Sequence, residues 1–337
     1  MRIAVVASLV TPLREAQLGG AQAFLTDLAR ALAARGHEVT VYCARGSELG
    51  GVRLVTVPAP EGVERALVMP GGSDPPPPLP ALRDAFGRLF EAVRADRPDA
   101  VTQHAFDAEA FELAGGLPVL HTLHLPPLVP AVVAAARACD AACVAVSEAT
   151  RRAWWAAGLS GVGVLPNGVP GFAMPDERVA PRGLIAGRVS PEKGTAEAVE
   201  AARRAGLEPL VVGTVYDRDY WAREVGVPVT SVERPELWRL MAGSAVALMP
   251  VAWDEPFGMV AAEAQMAGCP VVGYRRGGLP EVVEEGVGGL LVAPGDLEEL
   301  VAAVPRALAL DRGTVRASAL RRLTIDSAAA AYERALA

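Results

Sequence analysis

Lysine and asparagine are all but missing from this chain of 337 residues: of its 32 basic residues one is a lysine, Lys193, and Asn167 is the one asparagine. Against a background so rich in arginine, a surviving lysine marks a position to examine for chemistry. Cysteine is scarce too. Cys43, Cys139, Cys143 and Cys269 form no CxxC pair and have no zinc-like partner histidine, which excludes a disulfide framework and a thiolate metal site and leaves buried free thiols. No apolar run reaches the roughly 18 residues of a membrane span. The N-terminus enters a strand pattern without a basic, apolar and small-residue leader, so the expected compartment is the cytoplasm. Excess positive charge is also absent: the net charge is −7, which argues against nucleic acid as a partner. What is present is 51% hydrophobic and 21% charged, the balance of a folded globular protein. The length is about twice that of a usual domain, so two cores are expected.

Residues 2–7 (RIAVVA) are a continuous apolar run, and residues 21–34 (AQAFLTDLARALAA) repeat apolar positions at helical spacing. Gly36 ends that helix and residues 38–43 (EVTVYC) read as the next strand. Strand, helix, strand is a βαβ unit and implies a parallel sheet. Further strands are expected at 53–57, 99–102, 118–122 and 141–146, with helices near 80–95 and 147–157. The run 70–80 (PGGSDPPPPLP) fits no interior strand or helix, because proline lacks the amide hydrogen and fixes φ; it reads as a surface loop. After it Phe86, Leu89, Phe90 and Val93 form an apolar stripe flanked by Arg83, Arg88, Arg94 and Arg97. That stripe reads as the packed face of a βαβ helix, with peripheral membrane contact as the alternative.

At the turn Pro166-Asn167-Gly168 the pattern restarts: strand 182–187, helix 195–205, strand 209–213, helix 235–243, strand 245–250, helix 259–267 and strands 270–273 and 290–292. Two helices, 297–310 and 314–336, close the chain. The expected domains are therefore 1–165 and 166–312, both doubly wound, with 313–337 a helix returning to the first. In open α/β sheets ligands bind at the carboxyl ends of the strands, so a site is expected where two such edges face each other across a cleft.

The segment 254–272 (DEPFGMVAAEAQMAGCPVV) carries the strongest chemical signal. Glu255 and Glu263 are eight apart with Gly258 at a helix start between them, which at about 1.5 Å per helical residue separates the carboxylates by about 10 Å or slightly more. A glycosidase pair converges on one bond and needs roughly 5 to 9.5 Å, so these carboxylates do not fit that chemistry. A helix N-terminus between two acidic positions suits a ligand with phosphates in the middle and hydroxyls at both ends, such as a nucleotide-sugar. Upstream, 187–195 (GRVSPEKGT) puts Arg188 and Lys193 on the loop after the first strand of the second domain, where two cations can meet a diphosphate. It is not a P-loop, because Glu192 stands where that motif needs glycine.

These residues resemble the retaining glycosyltransferases of family four, which have the GT-B fold of two Rossmann-like doubly wound domains facing across a cleft. The resemblance rests on the 187–194 loop, the E-x7-E segment, the stretch GGLPEVVEEGVGGLLV from Gly277 to Val292 and LPNGV at 165–169. It implies that Arg188 and Lys193 bind the donor diphosphate. Glu255 would contact sugar hydroxyls, aided by the backbone of Phe257, Gly258, Met259 and Val260, and Glu263 would hold the ribose. In the first domain Gly19 and Gly20 match a loop that approaches the phosphates. In PVLHTLH, residues 118–124, His124 matches a histidine near the reacting centre, ahead of His121, which alternation would turn to the opposite side. His104 is a weaker candidate and His37 reads as structural.

The segment TSVERPELWRLMA lacks the glycine that the family shows near the base, so base recognition does not carry over, and residues 46–80, in the half that recognises the acceptor, match nothing specific, so acceptor identity does not either. Asp217-Arg218-Asp219 has the form of a metal-binding DxD triplet, but Arg188 and Lys193 would already neutralise a diphosphate, so no metal and no cofactor are expected. The expected activity is metal-independent transfer of a sugar from a nucleotide-sugar, with UDP or GDP as nucleotide, to a small-molecule, glycan or lipid-linked acceptor. The rivals are a nucleotide-sugar epimerase or a phosphorylase of the same architecture, and a catalytically silent nucleotide-sugar-binding protein.

Overall fold

The computed structural model describes residues 1–14, 19–63, 79–173 and 177–337, which cluster into two compact units, Met1–Asn167 with Ile325–Ala337, and Gly168–Thr324. The first unit runs β1 (Arg2–Val6), α1 (Gly20–Ala34), β2 (Glu38–Ala44), β3 (Arg53–Val57), α2 (Pro80–Asp96), β4 (Ala100–Gln103), α3 (Ala108–Glu112), β5 (Val119–Leu123), α4 (Pro130–Ala138), β6 (Ala142–Ala145), α5 (Glu148–Ala156) and β7 (Gly163–Val164). Its strands form one seven-stranded sheet in the order β3-β2-β1-β4-β5-β6-β7, every pair parallel. Helices cover both faces of such a sheet, which is why the strand after Arg2 is apolar throughout; Ile3 to Val6 are 1% exposed or less. The strand order reverses between β1 and β4, the kind of position beside which ligands bind in open α/β sheets.

The second unit runs β8 (Ala180–Ala186), α6 (Thr195–Arg204), β9 (Glu208–Val212), α7 (Arg218–Tyr220), β10 (Val229–Thr230), α8 (Arg234–Ala242), β11 (Ser244–Met249), α9 (Met259–Met266), β12 (Val271–Tyr274), α10 (Leu279–Val282), β13 (Gly289–Val292), α11 (Leu297–Leu308) and α12 (Arg312–Arg322). Its parallel six-stranded sheet has the order β10-β9-β8-β11-β12-β13 and reverses between β8 and β11. Both units are thus the doubly wound α/β type that the βαβ pattern implies.

The chain end differs from the single helix expected beyond residue 313. The α12 helix stays with the second unit, where Arg312 donates to the Ser244 and Ala242 carbonyls at 2.8 and 2.7 Å. It stops because the Leu323 carbonyl accepts the Val169 N–H at 2.8 Å and Thr324 makes a bridge to Val169 in place of another helical turn. A separate helix, α13 (Ile325–Leu336), then packs in the first unit: Tyr332 is fully buried 5.8 Å from Phe24, and Glu333 accepts from Arg35 and lies 3.0 Å from His37 Nε2.

The stripe of α2 is interior, with Phe86, Leu89, Phe90 and Val93 fully buried, and two of its flanking arginines are tied to α3 and the turn after it: Arg83 to Glu112, and Arg94 to the Leu113 and Gly115 carbonyls. Packing, not a membrane surface, is what this face serves. No helix among the described residues is long and apolar enough to cross a membrane. The proline-rich run lies outside the described residues apart from Leu79 and Pro80, the latter at the first position of α2, where a missing amide hydrogen is harmless. The four cysteines are free; Cys43, Cys143 and Cys269 are buried as expected and Cys139 is half-buried.

Candidate active site

In the second unit the site is built on the two strands at the sheet reversal. After β8 the chain takes Gly187 at φ 128°, passes Arg188, makes one 3-10 turn at Pro191–Lys193 and enters α6 through Gly194 at φ 65°. A Cβ on Gly194 would stand 1.9 Å from the Pro250 carbonyl oxygen, so glycine is what lets this loop press against the end of β11. The Ala252 N–H donating to the Glu192 carbonyl at 2.9 Å locks the two loops together.

That contact brings Lys193 to Glu255. The ammonium lies 2.7 Å from Glu255 Oε2, and the Trp253 indole N–H donates to the same oxygen at 2.8 Å. Lys193 also sits 5.1 Å from the Trp253 ring centroid. With side chains 20% and 11% exposed, the pair is largely withdrawn from water, where a charge needs a partner. Among the described residues Glu255 Oε1 accepts no hydrogen bond and stays open to a ligand. Arg188 lies 3.5 Å from Glu192 Oε1 and 5.6 Å from the Tyr216 ring centroid, and the Ser190 hydroxyl donates to Glu192 at 2.7 Å. Gly187, Arg188, Lys193, Thr195, Glu255 and Val260 line one pocket of about 450 Å³, its open mouth included.

The open end of α9 adjoins this pocket. Gly258 caps it at φ 102°, Phe257 and Met259 bury their side chains and leave their backbone to the loop, and Val260 reaches the pocket wall. The loop after β12 is pressed on from behind: Gly277 takes φ 58°, a Cβ there would be 2.4 Å from Glu255 N, and the Gly278 N–H donates to the Glu255 carbonyl at 2.6 Å. Glu263, farther along α9 and 5% exposed, is not part of the pocket lining; it accepts from Arg234 Nε at 2.6 Å. Arg234 opens α8, lies 4.9 Å over Trp238, and Trp238 stacks on Phe172 at 4.2 Å. In the DxD segment, Asp217 Oδ1 accepts the Tyr220 N–H at 2.8 Å and caps α7.

In the first unit, Gly20 is the exposed first residue of α1. His124 follows β5 and lies 2.9 Å from His104, which follows β4, so the residue ranked lower in sequence is its direct neighbour. His121 points to the other side of the sheet, fully buried and stacked 4.5 Å from Phe111, with neither ring nitrogen bonded among the described residues. Burial pushes His121 and His124 down to about 4 and His104 well below its usual value, and pushes Asp107, held by the Ser8 hydroxyl at 3.2 Å, up to about 7.

Of the residues singled out in the sequence, Arg188, Lys193, Glu255 and Val260 come together at one pocket and Glu263 lies outside its lining, while Trp253 and Arg234, which bond Glu255 and Glu263, were not singled out. An aromatic immediately before an acidic pair, and an arginine-proline at a helix start, were the signals available. The Lys193–Glu255 contact was also missed, since the two were assigned separate tasks.

Residues 18–170 match the family model described as Glycosyltransferase Family 4, and residues 181–321 that described as Glycosyl transferases group 1. A D-inositol 3-phosphate glycosyltransferase of Paenarthrobacter aurescens is 28% identical over 333 residues, covering 81% of this chain and 80% of that protein. A glycogen synthase of Mycobacterium tuberculosis is 34% identical over 165 residues, 44% of this chain, and the match spans only 40% of that protein's length. Among solved structures, HepE of Anabaena in complex with UDP and glucose superposes with a TM-score of 0.73 at 20% identity, covering 100% of this chain and 99% of that one. A glycosyltransferase of avilamycin A biosynthesis gives 0.72 at 24% identity, covering 99% and 96%.

Proposed function

The chain belongs to the glycosyltransferases of family 4, and on that premise we propose that it moves a sugar from a nucleoside diphosphate to an acceptor held by the first unit, with retention at the anomeric carbon and without a metal ion. The observation that carries this reading is the convergence of Arg188, Lys193 and Glu255 on one pocket at the β8/β11 reversal, beside the open end of α9. Negative charge grows on the diphosphate as the glycosidic bond breaks. A guanidinium, an ammonium and free helix amides already in place stabilise that charge more than they stabilise the ground state.

The open Oε1 of Glu255 accepts from a sugar hydroxyl while Lys193 and Trp253 hold Oε2. Lys193 retains further N–H donors for a phosphate oxygen. Glu263 takes the ribose, fixed by Arg234. UDP or GDP is the nucleotide we favour, and the superposition with a UDP complex supports the former. The compartment we propose is the cytoplasm, where four free thiols stay reduced.

A thermal-shift series with UDP, GDP, ADP and TDP tests the pocket and names the base. Lys193→Ala and Glu255→Ala are each expected to lower transfer by about 100-fold or more while melting cooperatively, the usual scale for one transition-state contact. Turnover at the parent rate in either variant overturns the assignment, and loss of activity on adding a chelator overturns metal independence.

A further inference from the structure

The first unit holds a buried line of polar groups that the reaction scheme leaves unused. Thr102 Oγ1 is 2.9 Å from His104 Nε2, and His104 Nδ1 is 2.9 Å from His124 Nε2. Thr102 is fully buried and both histidines are 6% exposed. The rings are also held on their faces. Phe24 meets His124 edge-on at 5.9 Å, and Tyr332 stacks on His104 at 6.0 Å, its own hydroxyl tied to Thr122 Oγ1 at 3.0 Å.

Desolvation keeps both imidazoles neutral at neutral pH. Two neutral rings sharing one hydrogen bond must play opposite parts, one donating and one accepting. If His104 Nε2 donated to Thr102, the threonine hydroxyl hydrogen would be buried with no acceptor among the described residues, at a cost of about 1 to 3 kcal/mol. If the hydroxyl donates to Nε2 instead, every hydrogen on the line is used. His104 then carries its proton on Nδ1.

We infer that His104 is a positioning residue: it donates Nδ1–H to His124 Nε2, which forces the His124 proton onto Nδ1 and makes the free edge of His124 a hydrogen-bond donor. His124 Nδ1 has no partner among the described residues. The functional sense rests on the proposed transferase reading together with the family resemblance, which implies that His124 lies near the reacting centre. There it donates to a ligand oxygen and cannot take a proton from an incoming hydroxyl through Nδ1.

Nitrogen-15 spectra of histidine-labelled enzyme test this, and a chain with four histidines is simple to assign. The expected result is a His124 protonated at Nδ1 and bare at Nε2, with the proton moving toward Nε2 in the isosteric Thr102→Val and in His104→Leu. The same variants should lose about 10- to 100-fold in kcat with KM for the donor little changed, the scale seen when an orienting partner is removed. His104→Asn, which keeps an N–H near the Nδ1 position, should recover part of that loss. A His124 protonated at Nε2 in the unaltered enzyme, or a tautomer indifferent to Thr102→Val, overturns the inference. Full turnover by His124→Ala would instead remove His124 from the reacting centre and leave the tautomer result standing, so the two failures are separable.

Discussion

Glu255 is oriented by two donors on one oxygen, an ammonium and an indole, which leaves the other oxygen facing the pocket. Trp253→Phe keeps an aromatic ring beside Lys193 and removes the N–H together with the pyrrole half of the indole. A hydrogen bond to a charged group contributes about 1.5 to 3 kcal/mol, so kcat/KM for the donor should fall at least about tenfold. Steady-state kinetics check it, and an unchanged value would mean that Lys193 alone holds the carboxylate. At this scale the sequence was partly legible. A single lysine beside glycine pointed to its own importance, whereas the part played by Trp253 depends on a loop path that no residue pattern encodes.

The elements of the second unit meet through close approaches that only glycine permits. Gly277 combines φ 58° with a backbone neighbour at 2.4 Å, so a methyl group there meets the atoms that carry Glu255. Gly277→Ala should lower stability by about 2 kcal/mol or more, from the left-handed strain and the forced shift together, and should weaken nucleoside diphosphate binding in parallel. Melting temperature and calorimetric affinity measured on the same sample decide it; a fall in one without the other would separate the loop's support from the site. Apart from the short edge strands β7 and β10, the strands and most helices were readable from apolar period. The break between α12 and α13 was not, because it is made by the Leu323 carbonyl bonding to Val169, a partner far away in sequence.

Across the whole molecule the acid response follows from buried imidazoles. His121 and His124 are pushed down to about 4, and His104 falls well below its usual value, while all three return to about 6.5 in the unfolded chain. Between pH 6.5 and 4 the unfolded state therefore binds more protons at these sites, and stability is lost as pH falls through that window. Asp107 opposes them. Raised to about 7, it binds a proton in the folded state first and gains stability as pH falls from 7 toward 4. Each group is worth about 1.4 kcal/mol per pH unit, so three histidines outweigh one aspartate by roughly 2 to 3 kcal/mol per unit at the steepest. Melting from pH 7 to 4.5 should show this decline. His121→Leu, which removes a fully buried ring with no hydrogen-bond partner among the described residues, should raise stability at pH 7 by about 1 kcal/mol and flatten the slope. A slope unchanged in that variant would mean that His121 is not neutral in the fold.

The residue pattern by itself determined that the chain makes two parallel, doubly wound units, and it singled out Arg188, Lys193 and Glu255, which the structure brings to one pocket. Strands buried on both faces must be continuous apolar runs, and a loop that folds back sharply must carry glycine, so both are written locally. Only the tertiary structure decided which polar groups meet: Lys193 with Glu255 across 62 positions, Arg234 with Glu263 across 29, and the two neutral rings of His104 and His124 across 20. Electrostatic partners are chosen by distance in space, and that distance is set by how the strands are ordered and the helices packed.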